Sequence, residues 1–217
     1  MEHKEITKAI IRSQHCQRNW DLTREIPEDD LDLILTAATQ CPSKQNIAYY
    51  NLHVVTDRSV IEALHDQTKG FTISYNSLDK QTNSQVLANL VLVFEESNWS
   101  ENKTKDQVFR NEETFKFIKN TADQSALDTL NRDKHMAVGV AAGYVNLTAS
   151  LLGYATGCCA CFDPNGIKQV LGLEKHPLLL MGIGYKNPLI NRRVHHKDHS
   201  FVFPTKEKQP IQVSFIS

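Results

Sequence analysis

The sequence predicts a single domain with a mixed α+β layer fold. Its 217 residues, of which 41% are hydrophobic and 23% charged, are enough to bury one core of ordinary composition. Segments with the hydrophobic period of a helix are interspersed with short segments typical of strands. Because their order is not a regular strand–helix–strand series, we expect one α+β domain over residues 1–217.

Two helices are predicted near the N-terminus. Residues 4–12 form the first. Pro27 and Glu28 begin the second, because proline suits the first helical position and acidic residues suit the positive end of the helix dipole. This helix should end at Cys41. Its buried face is formed by residues spaced i, i+3, i+4 and i+7, namely Leu31, Ile34, Leu35 and Ala38.

The middle of the chain predicts a strand, a helix, a second strand and a polar segment. Residues 50–56 alternate as in a strand, and Asp57 can cap the helix that follows. Residues 87–94 form a continuous apolar run, which predicts a central strand buried on both faces. Residues 96–134 are polar with a weak helical pattern, so we expect a variable segment and a candidate lid there.

The second half of the chain contains the strongest helix signal. Residues 136–152 contain no proline and are rich in Ala, Val and Leu, and Gly153 is a natural residue to follow the helix. A further helix is expected at 164–171 and a buried strand at 178–185. Residues 211–216 alternate again and predict a C-terminal strand.

Charge and composition exclude several functional classes. The net charge of -1 gives no electrostatic footprint for nucleic acid, and no apolar run is long enough to span a bilayer. The charged N-terminus lacks the apolar region of a signal peptide, so we expect a cytoplasmic location with all five cysteines reduced. Neither a glycine-rich dinucleotide fingerprint nor a P-loop is present.

Three polar clusters could bind an anionic ligand with a polar ring. The segment around His15 and Arg18 offers a cation and several donors for a phosphate, or else forms a solvated loop. The turn at 42–46 places a hydroxyl and an amide together, or else simply ends a helix. Arg192 and Arg193 could fork a phosphate, or else they are surface charge.

Two other groups suggest metal or nucleophile chemistry. His195, His196 and His199 invite a metal hypothesis, although neighbouring side chains of an extended segment point apart. The cysteines within 158–161 resemble half of a zinc site without its second half, which favours buried thiols. Cys16, which follows a histidine, is the best candidate for a nucleophilic pair, but no oxyanion device accompanies it.

The order of these motifs resembles the nitroreductase-like family over nearly the whole chain. Residues 15–20 are similar to its motif of a basic residue, Ser, a basic residue and an aromatic, and 26–38 to its helix with a Pro-acidic-acidic start. Residues 42–46 are similar to its Pro-Ser-Ser-x-Asn turn, and 146–154 to its Asn-Leu-x-Ala helix end. Further similar segments follow at 162–163, 170–173, 182–185 and 192–193.

The resemblance implies a three-layer sandwich with a mainly antiparallel central sheet flanked by helices. It also implies a homodimer in which the strand at 211–216 is exchanged with the partner subunit. FMN would lie at the interface, so each site would use both chains. The partners would then be a second copy and a small-molecule oxidant, with no nucleic acid and no membrane.

The resemblance also assigns the residues that would bind FMN. Those at the phosphate and ribityl end are Gln14, His15, Cys16 and Arg18, with Arg192 and Arg193 closing on the phosphate. Those supplied by the other subunit are Pro42, Ser43 and Asn46. Those beside the flavin ring are Ala160 and Cys161, with Gln81 or Asn83 at its pyrimidine edge.

Several positions depart from the family pattern. Gln14 stands where the family has an arginine, and Cys16 where it has a serine. Lys44 replaces a serine and could bring a charge near the flavin or the substrate. Residues 48–50 replace Gln-Pro-Trp, and Cys161 replaces a glycine. These changes alter the cofactor site more than the fold.

The resemblance implies an FMN-dependent oxidoreductase with NAD(P)H, either NADH or NADPH, as reductant. Hydride would pass through flavin N5 to a nitroaromatic or quinone-like acceptor in a ping-pong mechanism. The alternative is a flavin-binding carrier or sensor without efficient NAD(P)H turnover. A third hypothesis is a metal-dependent hydrolase built on His195, His196 and His199.

Overall fold

The computed structural model describes residues 2–70, 82–97, 124–204 and 207–216. Its centre is a five-stranded sheet whose ladders are all antiparallel. The strands are β1 (Trp20–Asp21), β2 (Tyr50–Val55), β3 (Leu90–Glu96), β4 (Ala155–Cys159) and β5 (Pro177–Lys186). Strand β5 pairs with β3 along one edge and with β4 and β1 along the other, and β2 pairs with β3. The predicted α+β class is confirmed.

Five helices in the described residues surround the sheet. They are α1 (His3–Ser13), α2 (Glu28–Thr39), α3 (Arg58–Asp66), α4 (Gln124–Leu151) and α5 (Pro164–Leu171). The sequence features expected at helix ends are present at α3 and α5. The Asp57 carboxylate accepts a hydrogen bond from the Val60 amide at the start of α3, and α5 ends at Gly172 with a φ of 64°.

Strand β3 separates two halves of the core, as its continuous apolar sequence predicts. Leu90, Leu92 and Phe94 face a cluster formed with α2 and α4. Val91 and Val93 face a second cluster formed with α3 and α5. Successive side chains of a strand point to opposite faces, so one strand contributes to both clusters.

The structure differs from the sequence-based expectations in several elements. Helix α4 begins at Gln124, so residues 124–134 of the candidate lid are helical, while 98–123 lie outside the described residues. Strand β3 begins three residues later than expected because Ser84–Val86 forms a 3-10 turn. Strands β1 and β4 were not predicted.

Residues 211–216 form no strand within the chain. Their apolar side chains are largely exposed, from 72% at Val213 to 97% at Ile216. The exchange of this segment between subunits stays a prediction. None of the described helices is long and apolar enough to cross a membrane.

Candidate cofactor site

A cavity of about 380 Å3 lies where five chain segments converge at one side of the sheet. Four residues predicted from the sequence line it, namely Arg18, Asn83, Ala160 and Cys161. The other lining residues were not assigned to the flavin from the sequence, and they are Lys69, Gly70, Thr82, Ser84, Phe162, His195, His196 and Phe203. A volume of this size is within the usual range for small-molecule sites.

The loop after α1 reaches the cavity because it is tied to β4 and to the 3-10 turn. The Gln17 amide donates to the Thr156 carbonyl at 2.8 Å, and Cys16 forms an isolated bridge with the same residue. The buried indole N–H of Trp20 donates to the Ser84 carbonyl at 2.9 Å. These bonds hold Arg18, between them in sequence, at the cavity wall.

Two glycines allow the 3-10 turn to lie directly on the sheet. Gly157 of β4 and Gly182 of β5 are register partners. A Cβ on Gly182 would come within 2.1 Å of the Gln85 carbonyl oxygen, and one on Gly157 would come within 2.9 Å of it. Only a residue without a Cβ permits this approach, which places Thr82 and Asn83 at the cavity.

Positive charge concentrates at one end of the site. The Arg192 guanidinium approaches His15 Nδ1 at 3.5 Å, and the Arg18 guanidinium lies 4.7 Å from the centre of the Phe203 ring. Burial and then Arg192 lower the pKa of His15, and burial is also the largest cause lowering the pKa of Arg18. Neither arginine forms an ion pair with a carboxylate among the described residues. Such a cluster is suited to an anion.

The two predicted arginines have different surroundings. Arg192 joins the cluster just described, whereas Arg193 donates from Nε to the Phe203 carbonyl at 2.8 Å. The Arg193 carbonyl also accepts from the Phe203 amide. Arg193 therefore fastens the C-terminal segment, and Gln14 at the end of α1 is exposed.

Asn83 lines the cavity, but its side chain is held by neighbouring groups. Its carbonyl oxygen accepts from the Gln85 amide, and its Nδ2 donates to Gln85 Oε1 at 3.1 Å and to Cys159 Sγ at 3.4 Å. Its backbone N–H donates to Thr68 Oγ1 at 2.6 Å. The other candidate for the pyrimidine edge, Gln81, lies outside the described residues.

The residues that follow β4 form part of the cavity wall. The Cys161 carbonyl accepts from the Lys69 amide at 2.7 Å, which ties this end to the segment after α3. Burial raises the pKa of both Cys158 and Cys159 to about 11, so these thiols stay protonated. Cys159 is buried as predicted and Cys158 is half-buried, whereas Cys161 is exposed at the cavity.

The predicted turn at 42–46 does not reach this cavity. Lys44 Nζ pairs with Asp133 Oδ2 at 2.5 Å, and Ser43 Oγ donates to the Ile47 carbonyl. Asp133 belongs to α4. Farther along α4, the Asn146 side-chain oxygen Oδ1 accepts a hydrogen bond from Thr156 Oγ1 at 2.6 Å, beside the loop that carries Arg18. At 1.5 Å per residue, Asp133 and Asn146 are roughly 20 Å apart along α4. The two predicted halves of the site therefore lie beside positions roughly 20 Å apart on one helix.

The three histidines of the metal hypothesis do not form a ligand set. His195 Nδ1 accepts from the Lys197 and Asp198 amides at 3.2 and 3.0 Å, and His199 is exposed. In the described part of the chain, no group of three or more His, Cys, Asp or Glu side chains is placed to hold a metal ion. The hydrolase hypothesis has no structural basis there.

Comparison with known proteins identifies the family. The model of the nitroreductase family matches residues 11–185, which is most of the chain. This chain belongs to the nitroreductase family. The expected resemblance is confirmed, and the protein is a nitroreductase-family oxidoreductase. No curated protein matches its sequence.

Solved structures share the fold at low identity. A candidate nitroreductase from Bacillus subtilis is 15% identical, with a TM-score of 0.66 over 99% of this chain and 100% of that one. A candidate NAD(P)H:FMN oxidoreductase from Staphylococcus epidermidis is 18% identical, with a TM-score of 0.64 over 97% and 95%. A candidate nitroreductase from Exiguobacterium sibiricum, crystallised with FMN, is 18% identical, with a TM-score of 0.59 over 86% and 89%. At these identities the likeness concerns the fold alone.

Proposed function

We propose that this nitroreductase-family chain binds FMN in the cavity and transfers reducing equivalents from NAD(P)H to a nitroaromatic or quinone-like acceptor. The observation that carries the proposal is the cluster of Arg18, Arg192 and His15, which has no carboxylate partner in the described residues and reaches the cavity through Arg18. A phosphate ester is the group that such a cluster suits best.

Uncompensated polar atoms in the cavity wall also fit such a ligand. Thr82 Oγ1 and His196 Nε2 are buried without a hydrogen-bond partner among the described residues, and both residues line the cavity. Buried polar atoms are normally satisfied. A ligand with carbonyl and N–H groups beyond its phosphate would satisfy these atoms, and the isoalloxazine ring of FMN has both.

The residues would divide the work by position. Arg18, Arg192 and His15 would hold the phosphate, while Lys69, Thr82 and the segment at 160–161 would line the ring. When bound, FMN supplies the hydride chemistry between a reduced nicotinamide and the acceptor. The cationic Lys69 in the same wall would favour a ligand that gains negative charge on reduction.

A homodimer would complete the site with the turn at 42–46. Helix α4 exposes an apolar stripe with Met136, Val140 and Tyr144 at 61%, 37% and 48% exposure. A Cβ on Gly139 or Gly143, which are also exposed, would meet no atom within 4 Å, so a second helix could approach closely.

The position of this stripe favours a two-fold dimer. Val140 lies midway along α4 between Asp133, which pairs with Lys44, and Asn146, which lies beside the loop carrying Arg18. A two-fold axis near Val140 would bring residues 42–46 of one copy to the cavity of the other. The exposed segment at 211–216 is then available to pair with the partner's sheet.

Anaerobic reduction and initial-rate kinetics test the enzymatic part of the proposal. The FMN-loaded protein should bleach on addition of NADPH or NADH, and a nitroaromatic or quinone acceptor should restore its colour. Parallel double-reciprocal lines are expected because reductant and acceptor use one face in turn. Intersecting lines would refute the shared face. A yellow protein that neither nicotinamide bleaches would instead support a flavin carrier or sensor.

A further inference from the structure

One wall of the cavity is formed by residues 194–203, which we name the histidine hairpin. A bridge joins Val194 to Val202, and the His195 amide donates to the Phe201 carbonyl at 2.9 Å. The hairpin's inner side contributes His195, His196 and Phe203 to the cavity. Whatever binds in the cavity therefore contacts this hairpin.

The hairpin packs against α3 through an unusual pair of imidazoles. The rings of His65 and His196 meet edge to face, with centroids 5.5 Å apart and an interplanar angle of 87°. Nε2 of each ring is buried and has no hydrogen-bond partner in the described part of the chain. Since His196 and the equally unpartnered Thr82 line the cavity, two of these uncompensated atoms belong to the site.

The surroundings of the pair favour neutral imidazoles. Burial is the largest cause lowering the pKa of His65, of His195 and of His196, and it brings the pKa of His196 to about 4 with help from His195. The charged and titratable groups that face the pair from the hairpin, α3 and the cavity wall are Lys197, Asp198, His199, Arg58, Asp66, Arg18 and Lys69. These groups include more basic residues than aspartates, so the local charge disfavours protonation of either imidazole of the pair.

We propose that His196, together with Thr82, hydrogen-bonds the cofactor through its neutral imidazole. The inference rests on the proposed FMN site. It assigns to the hairpin a binding residue outside the motifs that carry the family resemblance.

In the ligand-free structure the hairpin is packed and the pKa of His196 lies near 4, so its imidazole is neutral at about pH 5 and above. Its buried Nε2 can therefore serve a ligand as an uncharged hydrogen-bonding atom.

Titration of the full chain with FMN, followed by quenching of flavin fluorescence, measures the affinity at about pH 7.5, where the imidazole is neutral. His196→Gln keeps hydrogen-bonding capacity, so it should bind FMN nearly as the wild type does. His196→Phe keeps a ring but no donor or acceptor, so it should bind FMN about 2- to 13-fold more weakly, the loss expected for one neutral hydrogen bond. His199→Gln, an exposed change on the same hairpin, should behave as the wild type does.

The comparison between variants isolates the hydrogen bond, because Gln keeps it and Phe removes it. Circular dichroism melts verify that each variant is folded. A His196→Phe variant that binds FMN as tightly as the wild type does would overturn the inference while leaving the FMN site intact. Absence of FMN binding by the wild type would overturn the proposed function as well.

Discussion

Replacing Arg192 with glutamine separates the ligand's charge requirement from the stability of the fold. Arg192 lies 3.5 Å from His15 Nδ1 and repels Arg18, so in the ligand-free protein it adds positive charge to a cluster that is already positive. If that cluster binds a phosphate, the arginine stabilises only the complex. The substitution should weaken FMN binding while leaving the stability of the free protein unchanged or slightly higher.

The magnitude follows from one charge-assisted hydrogen bond. Such a bond contributes about 1.5–3 kcal/mol, which corresponds to roughly a 10- to 150-fold increase in the dissociation constant. The pKa of His15 should rise in the variant because one of the two causes that lower it is gone. Added salt should weaken wild-type binding more than binding by the variant.

Fluorescence titration of FMN measures the affinity, and thermal unfolding of the ligand-free protein measures stability. Lys8→Gln, which removes one positive charge from an exposed position of α1, is the matched control and should bind FMN as the wild type does. Affinity of Arg192→Gln for FMN within about twofold of the wild type, well short of the loss expected for a charge-assisted bond, would refute a phosphate contact by Arg192. An equal loss of affinity in Lys8→Gln would refute it as well.

Three further changes test the fold and the assembly. Gly182→Ala places a Cβ within 2.1 Å of the Gln85 carbonyl oxygen. Urea unfolding should therefore show a loss of stability, and FMN binding should weaken. Unchanged stability and FMN affinity would refute the close approach. Leu92→Ala should lower the free energy of unfolding in urea by about 2–5 kcal/mol, because the residue is fully buried. Val54→Ala, at a position that is 41% exposed, should lower it much less. Equal losses of stability in the two variants would contradict the assigned core. Val140→Glu should convert a dimer to monomers in sedimentation analysis, and a variant that sediments as the wild type does would contradict the α4 interface.

The helices were predictable where local chemistry decides their ends. Helix α5 spans the predicted residues because Asp163 caps it and Gly172 ends it in the left-handed conformation. The start of α4 was missed because residues 124–134 are polar and carry little helical periodicity. Strands β1 and β4 were missed because pairing with β5 defines them; β4 is a short run of small residues without a β-branched pattern apart from Thr156.

The site was predictable where one motif contributes a residue by itself. Arg18 and Cys161 were assigned through the family resemblance, and both line the cavity. Lys69, Thr82 and His196 come from loops with no fixed spacing to those motifs, so only the folded chain shows that they converge. Burial without hydrogen-bond partners, which distinguishes Thr82 and His196, is likewise a property of packing that no spacing encodes.

The visible absorption spectrum of the purified protein, incubated with excess FMN and then desalted, tests most directly whether the cavity of this nitroreductase-family protein is an FMN site. A flavin spectrum should remain with the protein at about one FMN per chain, as expected for two equivalent sites in a symmetric dimer. A colourless protein that takes up no FMN would contradict an FMN site in the cavity.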